Sequence, residues 1–492
     1  MGGNYAKDMF KQLENALLKI DELNNKVDRI EAETANKYLQ IIYEKEQEIA
    51  RLRAENAELK DRIAKLEAEI DRLRKQLNNN SSNSSLPPSN DNKPNRTKIF
   101  NSREKSGNKS GGQKNHIGYC LKKEEIQRKI EDGTLTHKVV EYGNPQANRR
   151  YVSKYVVDIK VDTVATEHRF YADDNGKIHI PEEYRADVQY GDELKTLTTI
   201  LISQGIVASN RVVELIGEMS ANAIKISEGS IYNWLSEFDK KVKPVIDGIK
   251  HRVLNAPVIH VDETGSRCEK KNMYFRNYSD EDHVLYTFNA TKGKSAIEED
   301  GVLPVYIGTL VHDHNTVNYN YGTRNAECNV HVIRYLKANY ENTRNMWSCD
   351  MIEFLTGLNR TKKLAMAYGM SEFSAEDIEK HRKCYDEILC TGLANVDDTK
   401  SRIYKKDEKT LLNRLKKYKD NHLLFAVDFA VPFDNNMSER DLRTVKTKTK
   451  VSGCFRSIEG GKRFANLMSI VKTAIKQNRS PYKSVKAVFA TC

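Results

Sequence analysis

Three carboxylates in the second half of the chain stand where metal-dependent chemistry could use them. Asp262 ends the apolar, β-branched run APVIHVDETGSR, and Asp313 ends a second such run, VYIGTLVHDHN. Both runs predict strands, and a mixed sheet that pairs the second run beside the first would make the two aspartates neighbours. Glu439 follows in FDNNMSERDLR, at the start of a predicted basic helix.

Adjacent carboxylates repel each other unless a proton or a cation neutralises them. Oxygen ligands suit Mg²⁺ or Mn²⁺, and a third carboxylate from a helix packed over the strands would complete a site for two ions. Two ions about 4 Å apart activate the attacking oxygen and stabilise the leaving oxygen in phosphodiester chemistry. We therefore predict that Asp262, Asp313 and Glu439 bind two such ions, the alternative for each single aspartate being a turn or cap residue.

Other acids compete for the same assignment. Glu263 follows Asp262 on a strand and must point to the opposite face. Asp441 lies two residues beyond Glu439, about 200° round a helix, so the two side chains cannot face the same ions. Asp434 precedes the predicted helix and is interpreted as a cap or a supporting group.

The positive charge of the chain is concentrated beside Glu439. Between Arg440 and Lys486 there are thirteen lysines and arginines against two acids, an excess equal to the formal charge of +11 of the whole chain. A clustered basic field favours a polyanionic partner through phosphate neutralisation. A solvated basic face is the alternative for such a run taken alone.

The first 78 residues predict a parallel coiled coil. Isoleucine or leucine recurs at heptad positions a and d over five heptads, and one buried Asn at a fixes the register of two strands. The a positions are Ile42, Ile49, Asn56, Ile63, Ile70 and Leu77, and the d positions are Lys45, Leu52, Leu59, Leu66 and Leu73. We expect at least a homodimer. The following Ser, Asn and Pro residues predict an extended linker, whose basic end is either a phosphate-tracking segment or a soluble spacer.

Two further patterns lie between this linker and the first aspartate. Short alternating runs from Thr136 to Ile180 predict β-strands with turns at GNPQ and DDNG. From Asp192 to about Lys250 three helices follow, with Ser209 and Ser227 as predicted N-caps, and resemble a helix-turn-helix. Its exposed readers would be Ser230, Tyr232 and Asn233, although Tyr232 and Trp234 could instead be core residues.

Composition excludes some classes of protein. No run of about eighteen apolar residues exists to span a membrane, and the N-terminus has no apolar signal region. The eight cysteines are scattered without a CxxC pair, which favours free thiols over a disulfide framework. A reduced, cytoplasmic protein associated with the bacterial nucleoid is expected.

Over nearly its whole length the chain resembles the insertion sequence 66 family of bacterial DDE transposases. The matching stretches include NSSNSSLPPSND, GGQKNHIGY, ISEGSIYNWL, VIHVDETGSR, LVHDHN, AECNVHVIRYL, FDNNMSERDLR and GGKRFANLMSIVKTAIKQN, and their order and spacing carry the resemblance. It implies a ribonuclease-H-like core with Asp262, Asp313 and Glu439 as the metal-binding triad, and a helical insertion between the second Asp and the Glu.

The same resemblance marks Cys328 and His331, because such transposases carry a Cys-x-x-His motif after the second Asp. Two interpretations stay open: a buried thiol with a strand-end histidine, or a role in positioning or proton handling near the scissile phosphate. Many family members also hold zinc in the module before the helix-turn-helix. Here that region has only Cys120 with scattered histidines, so a metal-free module is predicted and zinc is not expected.

The fold class predicted is therefore a multidomain α/β protein. Its parts are a coiled-coil helix (1–78), a flexible basic linker (79–118), a β-rich zinc-ribbon-like module (119–189), a helix-turn-helix domain (190–255), the first part of the ribonuclease-H-like core (256–335), a helical insertion (336–432), the final basic helix of the core (433–480) and a C-terminal tail (481–492).

The predicted function is DNA transposition by metal-dependent strand cleavage and strand transfer. The partners would be element ends and target DNA, a second copy of the chain or a higher-order assembly on DNA, and accessory proteins encoded by the element. Phosphate contacts are predicted for Arg440, Arg443, Lys446, Lys448, Lys450, Lys462 and Arg463. A non-catalytic, domesticated DNA-binding protein and a structure-specific nuclease without strand transfer are the alternatives.

Overall fold

A computed structural model of the chain describes residues 3–78, 121–142, 152–184, 186–399 and 401–490. The predicted linker at 79–118 lies outside these ranges, as does Cys120. Within them the chain is mainly helical and contains one mixed sheet of five strands. None of the helices in the described ranges has the length and apolar character needed to cross a bilayer.

The chain begins with a single long helix, α1, at Gly3–Asn78, which confirms the predicted helix. The apolar a and d side chains of α1 lie at the surface of the single chain; Ile49, Leu52 and Leu73 are each about half exposed. Near its end α1 contacts the helix Arg402–Lys417, where the Ser401 hydroxyl donates a hydrogen bond to Asp71. The exposed stripe is the surface that a parallel partner helix would cover, and the dimer stays a prediction.

The described residues of the predicted β-rich module at 119–189 form no β-strand, and the module stays a prediction. A short helix, α2, occupies Lys123–Glu131, and within 121–142 and 152–184 one isolated bridge joins Ala172 to Ile178 across a turn. The rest of 152–171 has no strand partner, and Val156 and Ile159 are 96% and 88% exposed. A strand needs a neighbour for its backbone and a layer over its apolar face, and neither is present there.

Four helices, rather than the predicted three, follow from Asp192 to Asn255, because the third predicted helix is divided at Val242, just before a proline in the first turn of the next helix. They are α3 (Asp192–Ser203), α4 (Ser209–Met219), α5 (Glu228–Lys241) and α6 (Lys243–Asn255). Val212, Ile216, Ile231 and Trp234 form the apolar cluster between α4 and α5. Trp234 is therefore a core residue, whereas Tyr232 on the same helix is exposed.

Only one of the two predicted helix caps is formed. Ser227 precedes α5, and its hydroxyl accepts a hydrogen bond from the Ser230 N–H at 3.0 Å. Ser209 is instead the first residue of α4, and Ala208 holds the extended N-cap conformation before it. The prediction for Ser209 is wrong because α4 starts one residue earlier than the serine would place it.

The sheet has the strand order β3-β2-β1-β4-β5. Its strands are β1 (Val258–Cys268), β2 (Lys271–Ser279), β3 (Val284–Asn289), β4 (Thr309–His312) and β5 (Arg324–Glu327). The first three form an antiparallel meander, and β4 and β5 run parallel to β1. The predicted pairing of the second aspartate strand beside the first is confirmed. A short helix, α7 (Lys294–Asp300), lies between β3 and β4.

Successive residues of β1 point to opposite faces of the sheet, so its core residues and its candidate site residues lie on different faces. Ile259 and Val261 are fully buried and cluster with Val253 of α6. His260 and Asp262 alternate with them and therefore face the other side of the sheet. That side is covered by α13 (Asn436–Ser452), which contacts β1 and β2, and β3 is covered by α14 (Ile458–Lys476).

Five helices lie between β5 and α13, where the helical insertion is predicted. They are α8 (Asn329–Thr343), α9 (Trp347–Ala367), α10 (Ala375–Asn395), α11 (Arg402–Lys417) and α12 (Lys419–Val427). The last described residues form α15 (Pro481–Ala490) rather than a tail. Val485, Val488 and Phe489 are buried there, and α15 packs against α3, so its apolar face makes it part of the fold.

Candidate active site

Asp262 and Asp313 occupy neighbouring positions on two parallel strands. The last register pair between β1 and β4 is Val261 with His312, and each aspartate is the next residue along its chain. Asp262 does not end its strand as predicted, because β1 continues to Cys268 while paired with β2 alone. The parallel ladder, not the strand, ends at Asp262, and the two carboxylates meet at that edge.

The buried position and mutual repulsion of the two carboxylates favour a bound cation. Burial raises the pKa of Asp262 well above its ordinary value, and the nearby charges of Asp313 and Glu263 raise it further. Lys446 of α13 acts in the opposite direction, since its ammonium group lowers the same pKa. Burial also raises the pKa of Asp313, but the His331 ring outweighs burial and lowers it. A divalent ion between the carboxylates would remove their repulsion and keep Asp262 ionised as well.

Glu439 reaches the same place from the first turn of α13. The imidazole of His331 lies between the second and third acids: its Nδ1 is 3.1 Å from Asp313 Oδ1, and its Nε2 is 4.0 Å from Glu439 Oε1. Two side chains separated by 125 residues of sequence therefore face one ring. The three predicted ligands come from β1, from the end of β4 and from α13.

The competing acids are engaged elsewhere. Glu263 accepts a hydrogen bond from the Asn315 amide. Asp441 is buried on another face of α13, with Oδ2 3.1 Å from the ammonium group of Lys476. Asp434 caps the approach to the helix by accepting from the Asn436 N–H at 3.0 Å. The positions of Asp434 and Asp441 agree with the interpretation of the sequence, whereas Glu263 remains close enough for its charge to raise the pKa of Asp262.

Asn435 is a residue of the site that the sequence argument missed. Its side chain is fully buried; Nδ2 donates to the Val261 carbonyl at 2.9 Å, and Oδ1 lies 2.8 Å from His260 Nδ1. Burial lowers the pKa of His260 to about 4, so a neutral ring donates its Nδ1–H to that oxygen. The Asn435 carbonyl also accepts from the Glu439 N–H at 3.2 Å. This one amide therefore fixes the start of α13, and with it Glu439, to the middle of β1.

Cys328 and His331 lie beside Asp313. Cys328 precedes α8 and is fully buried; its N–H donates to the His312 carbonyl at 3.0 Å, and its Sγ accepts from the Asn435 N–H at 3.3 Å. Ligand atoms of Asp313, Cys328 and His331 all lie within 4.8 Å of one another. The two motif residues are thus both buried and adjacent to the carboxylate pair.

Opposing influences act on the His331 ring. Burial lowers its pKa, but the Asp313 carboxylate and the Cys328 thiol outweigh burial and raise the pKa to about 11. Against this, the Arg334 guanidinium lies 3.0 Å from Nε2. Because a guanidinium can only donate, that contact needs a lone pair on Nε2 and opposes the second proton. In this arrangement the ring proton sits on Nδ1, towards Asp313.

A buried ionic network joins the insertion to the strands of the site. The Glu327 carboxylate, at the end of β5, accepts from the Tyr319 hydroxyl at 2.6 Å and from Arg414 of α11. Its oxygens also lie 3.1 Å from the ring nitrogens of His314 and His422. Glu327 precedes Cys328 and His314 follows Asp313, so the network holds both flanks of the site. Nothing in the local sequence of Glu327 indicates these partners.

The predicted DNA-contacting residues are only partly available. Arg440, Arg443, Lys446 and Lys450 are exposed along α13, and none has an ion-pair partner among the described residues. Lys448 is half-buried, and burial lowers its pKa. Lys462 pairs with Glu299 at 3.0 Å.

The predicted helix-turn-helix region packs against α14, where Asn466 Nδ2 donates to Asp239 Oδ1 of α5 at 2.8 Å. The Arg463 guanidinium of α14 lies 4.6 Å from the centre of the Tyr232 ring of α5. Asn233 is exposed beside it, and Ser230 contributes to the cap of α5 through the Ser227 hydroxyl at 3.1 Å. Tyr232 and Arg463 are thus brought together, whereas Ser230 has a local structural partner.

Comparison with protein families gives two matches. Residues 207–463, more than half of the chain, match the model of the Transposase IS66 family. Residues 35–122 match a family of unknown function. A search of curated proteins found no match. The first match contains α4 to α13 and every residue of the carboxylate site.

Proposed function

The chain belongs to the IS66 family of transposases, and we propose that it binds the ends of an insertion sequence and catalyses metal-dependent strand cleavage followed by strand transfer. One observation carries the proposal. The β1–β4 ladder sets Asp262 beside Asp313, and the His331 ring, contacting Asp313, also faces Glu439 on α13. Family membership itself implies a divalent metal requirement.

The residues present fit a hard divalent ion. All three carboxylates offer oxygen, the ligand that Mg²⁺ and Mn²⁺ prefer. Oδ1 of Asp313 is buried and makes no well-aligned hydrogen bond among the described residues, its contact with His331 Nδ1 being 3.1 Å long, and Asp262 is held with a raised pKa by burial and by the Asp313 charge. We propose that Asp262, Asp313 and Glu439 hold two such ions. When bound, the ions would supply charge stabilisation for the attacking and leaving oxygens of an in-line displacement.

The other side chains of the site would position the phosphate. Lys446 places positive charge near Asp262 and Arg334 places it near Asp313. The exposed Arg440, Arg443 and Lys450 continue this charge along α13. In the first step a water oxygen bonds to phosphorus and the 3′ oxygen of the element leaves. In the second, that 3′-hydroxyl bonds to a target phosphorus and the target 3′ oxygen leaves. Both steps exchange one P–O bond for another.

The test uses the full chain with DNA that carries the terminal repeats of the element. We expect Mg²⁺-dependent nicking at the repeats and joining of the freed ends to a second DNA. Asp262→Asn, Asp313→Asn and Glu439→Gln should each lower both activities at least about 1,000-fold, because removing any one ligand disables the unit. DNA binding should persist or tighten slightly in these variants.

Asp441→Asn is the matched control, since Asp441 lies two residues from Glu439 and pairs with Lys476 instead. It should keep most of the activity. Near-normal cleavage by Glu439→Gln together with loss in Asp441→Asn would overturn the ligand assignment. Cleavage without joining would identify a nuclease, and binding without any cleavage would identify a DNA-binding protein; either would overturn the proposal.

We also propose that two copies associate through α1. Its exposed a and d side chains, Ile49 and Leu52 among them, match the surface that a parallel partner buries. Sedimentation velocity of the full chain should give a dimer, and Leu59→Asp with Leu66→Asp should give a monomer. Glu58→Lys, a change at an exposed position outside the a and d set, is the control and should leave the dimer intact. A monomeric wild-type chain would contradict the proposal.

A further inference from the structure

Three ligand atoms of different chemistry converge at the inner end of the carboxylate site. The Sγ of Cys328, a ring nitrogen of His331 and a carboxylate oxygen of Asp313 all lie within 4.8 Å of one another. The closest approach that the structure gives is 3.1 Å, between His331 Nδ1 and Asp313 Oδ1. Cys328 and His331 lie three residues apart, across the start of α8.

Two of these atoms are buried and face each other at 3.1 Å in a poorly aligned contact. His331 is 7% exposed, and neither its Nδ1 nor Asp313 Oδ1 makes a well-aligned hydrogen bond in the described part of the chain. Native proteins leave few buried polar atoms in this state, so a shared partner is expected. Both atoms point at the same small volume, where the fully buried Cys328 thiol is the third group.

The ligand set favours a borderline metal over Mg²⁺. Mg²⁺ prefers octahedral oxygen ligands, whereas thiolate and imidazole select Zn²⁺ and its neighbours. Zn²⁺ with three protein ligands and one open position is a common arrangement, and tetrahedral bonds of 2.0–2.3 Å would put the ligand atoms roughly 3.3–3.8 Å apart. The observed spacing needs only small side-chain adjustments to reach those values.

We propose that Cys328, His331 and Asp313 form a binding site for a single borderline divalent ion of the Zn²⁺ class, which shares Asp313 with the hard-metal site. Binding requires the Cys328 thiol to release its proton. Burial raises the pKa of this thiol, whereas the His331 ring and the Asn435 N–H that points at Sγ oppose that rise and favour the thiolate. The ligand set lies at the end of β4 and the start of α8, far in sequence from the 119–189 module for which zinc is not expected.

The His331 ring has to change its proton position when such an ion binds. With the metal on Nδ1 the remaining proton lies on Nε2, and Glu439 Oε1, 4.0 Å away, is the carboxylate that can accept it. The Arg334 guanidinium, which now donates to Nε2, must then withdraw. Arg334 is only half-buried and its side chain is long, so the displacement is local.

The test measures Co²⁺ binding spectroscopically and does not depend on activity. Metal-free full-length protein is titrated with Co²⁺, which gives near-ultraviolet sulfur-to-metal charge transfer only when a thiolate is a ligand. We expect one equivalent to produce this band together with the visible bands of tetrahedral Co²⁺, and Zn²⁺ to abolish both. Excess Mg²⁺ alone should produce neither.

Three variants assign the signal. Cys328→Ser should lose the charge-transfer band, and His331→Gln should weaken Co²⁺ binding at least about 100-fold while the thermal unfolding midpoint stays near that of the wild type. Cys454→Ser, at an exposed thiol beyond α13, is the control and should keep the full signal. A wild-type titration without the band, or a band that survives in Cys328→Ser, would overturn the proposal.

One consequence for activity rests on the proposed function. Because Asp313 serves both sites, Zn²⁺ should inhibit Mg²⁺-supported strand cleavage, and Cys328→Ser should need at least about tenfold more Zn²⁺ for the same inhibition. If no cleavage is found at all, the proposed function fails while the Co²⁺ titration still decides the metal site. Equal inhibition of both proteins would contradict the shared ligand.

Discussion

Residues 152–171 and the strands β1 to β3 contain the same kinds of residue, yet the apolar side chains of the first are largely exposed and those of the second are largely buried. Both have short runs of valine, isoleucine and tyrosine broken by polar positions. Ile159 in the first region is 88% exposed, whereas Ile259 in β1 is fully buried. The first region remains extended without a ladder, and the second forms the centre of a five-stranded sheet.

The difference lies in what surrounds each run. β1 has β2 on one side and β4 on the other; a large apolar cluster that includes Val253 of α6 covers one of its faces, and α13 covers the other. No described residue supplies a neighbouring strand or a covering helix to 152–171. An alternating or β-branched run thus indicates that a segment can adopt a β-strand. Whether the strand forms depends on pairing and packing partners elsewhere in the chain.

The largest expected effect tests this comparison with one substitution in both places. Ile259→Ala should lower the free energy of unfolding by about 2–5 kcal/mol, because it opens a cavity in the apolar cluster that contains Ile259. Ile159→Ala should change it by less than about 0.5 kcal/mol, since the side chain has little buried area to lose. Calorimetry of the full-length variants measures both.

The comparison would break if Ile159→Ala proved as destabilising as Ile259→Ala. Such a result would mean that 152–171 is covered in solution, by a second copy of the chain or by residues outside the described ranges. The β-strands predicted from Thr136 to Ile180 would then form only when that partner is bound.

The site was predictable where residue type alone limits the chemistry. Carboxylates that follow apolar runs are few, so Asp262 and Asp313 stand out, and the basic surroundings of Glu439 mark the third. Asn435 and Glu327 were not predictable, because their roles come from contacts with strands and helices about 90 to 175 residues away. A histidine inside the buried run VIHV was the one local sign that β1 needs a polar partner.

The next prediction concerns the face of β1 that carries His260 and Asp262. Asn435→Ala removes hydrogen bonds at that face and leaves the buried face with Ile259 and Val261 unchanged. Asn435→Ala leaves the Val261 carbonyl and the His260 Nδ1–H without partners, at a cost of about 2–4 kcal/mol in unfolding free energy. It also frees the start of α13, so cleavage should fall roughly 10- to 100-fold through misplacement of Glu439. The Mg²⁺ concentration for half-maximal cleavage should rise as well.

That shift in metal dependence separates positioning from simple loss of stability. Measured at a temperature where both proteins are folded, a destabilised but correctly arranged site would keep the wild-type Mg²⁺ requirement. Asn436→Ala is the matched control, one residue on, with a side chain that makes no hydrogen bond within the described ranges. If the two variants behave alike, Asn435 does not position Glu439.

The smallest expected effect concerns the N-caps of α4 and α5, which depend on residues close in sequence and need no distant partner. Ser227 and Ser209 look equivalent in sequence, but only the Ser227 hydroxyl accepts from a helix N–H, that of Ser230. Ser227→Ala should therefore destabilise the first turn of α5 by about 1 kcal/mol, and amide hydrogen exchange there should accelerate about fivefold. Ser209→Ala should leave exchange in α4 unchanged, because Ala208 holds the cap position. Equal acceleration in both helices would show that Ser209 reaches a cap in solution, and that the sequence signal was sufficient at both positions.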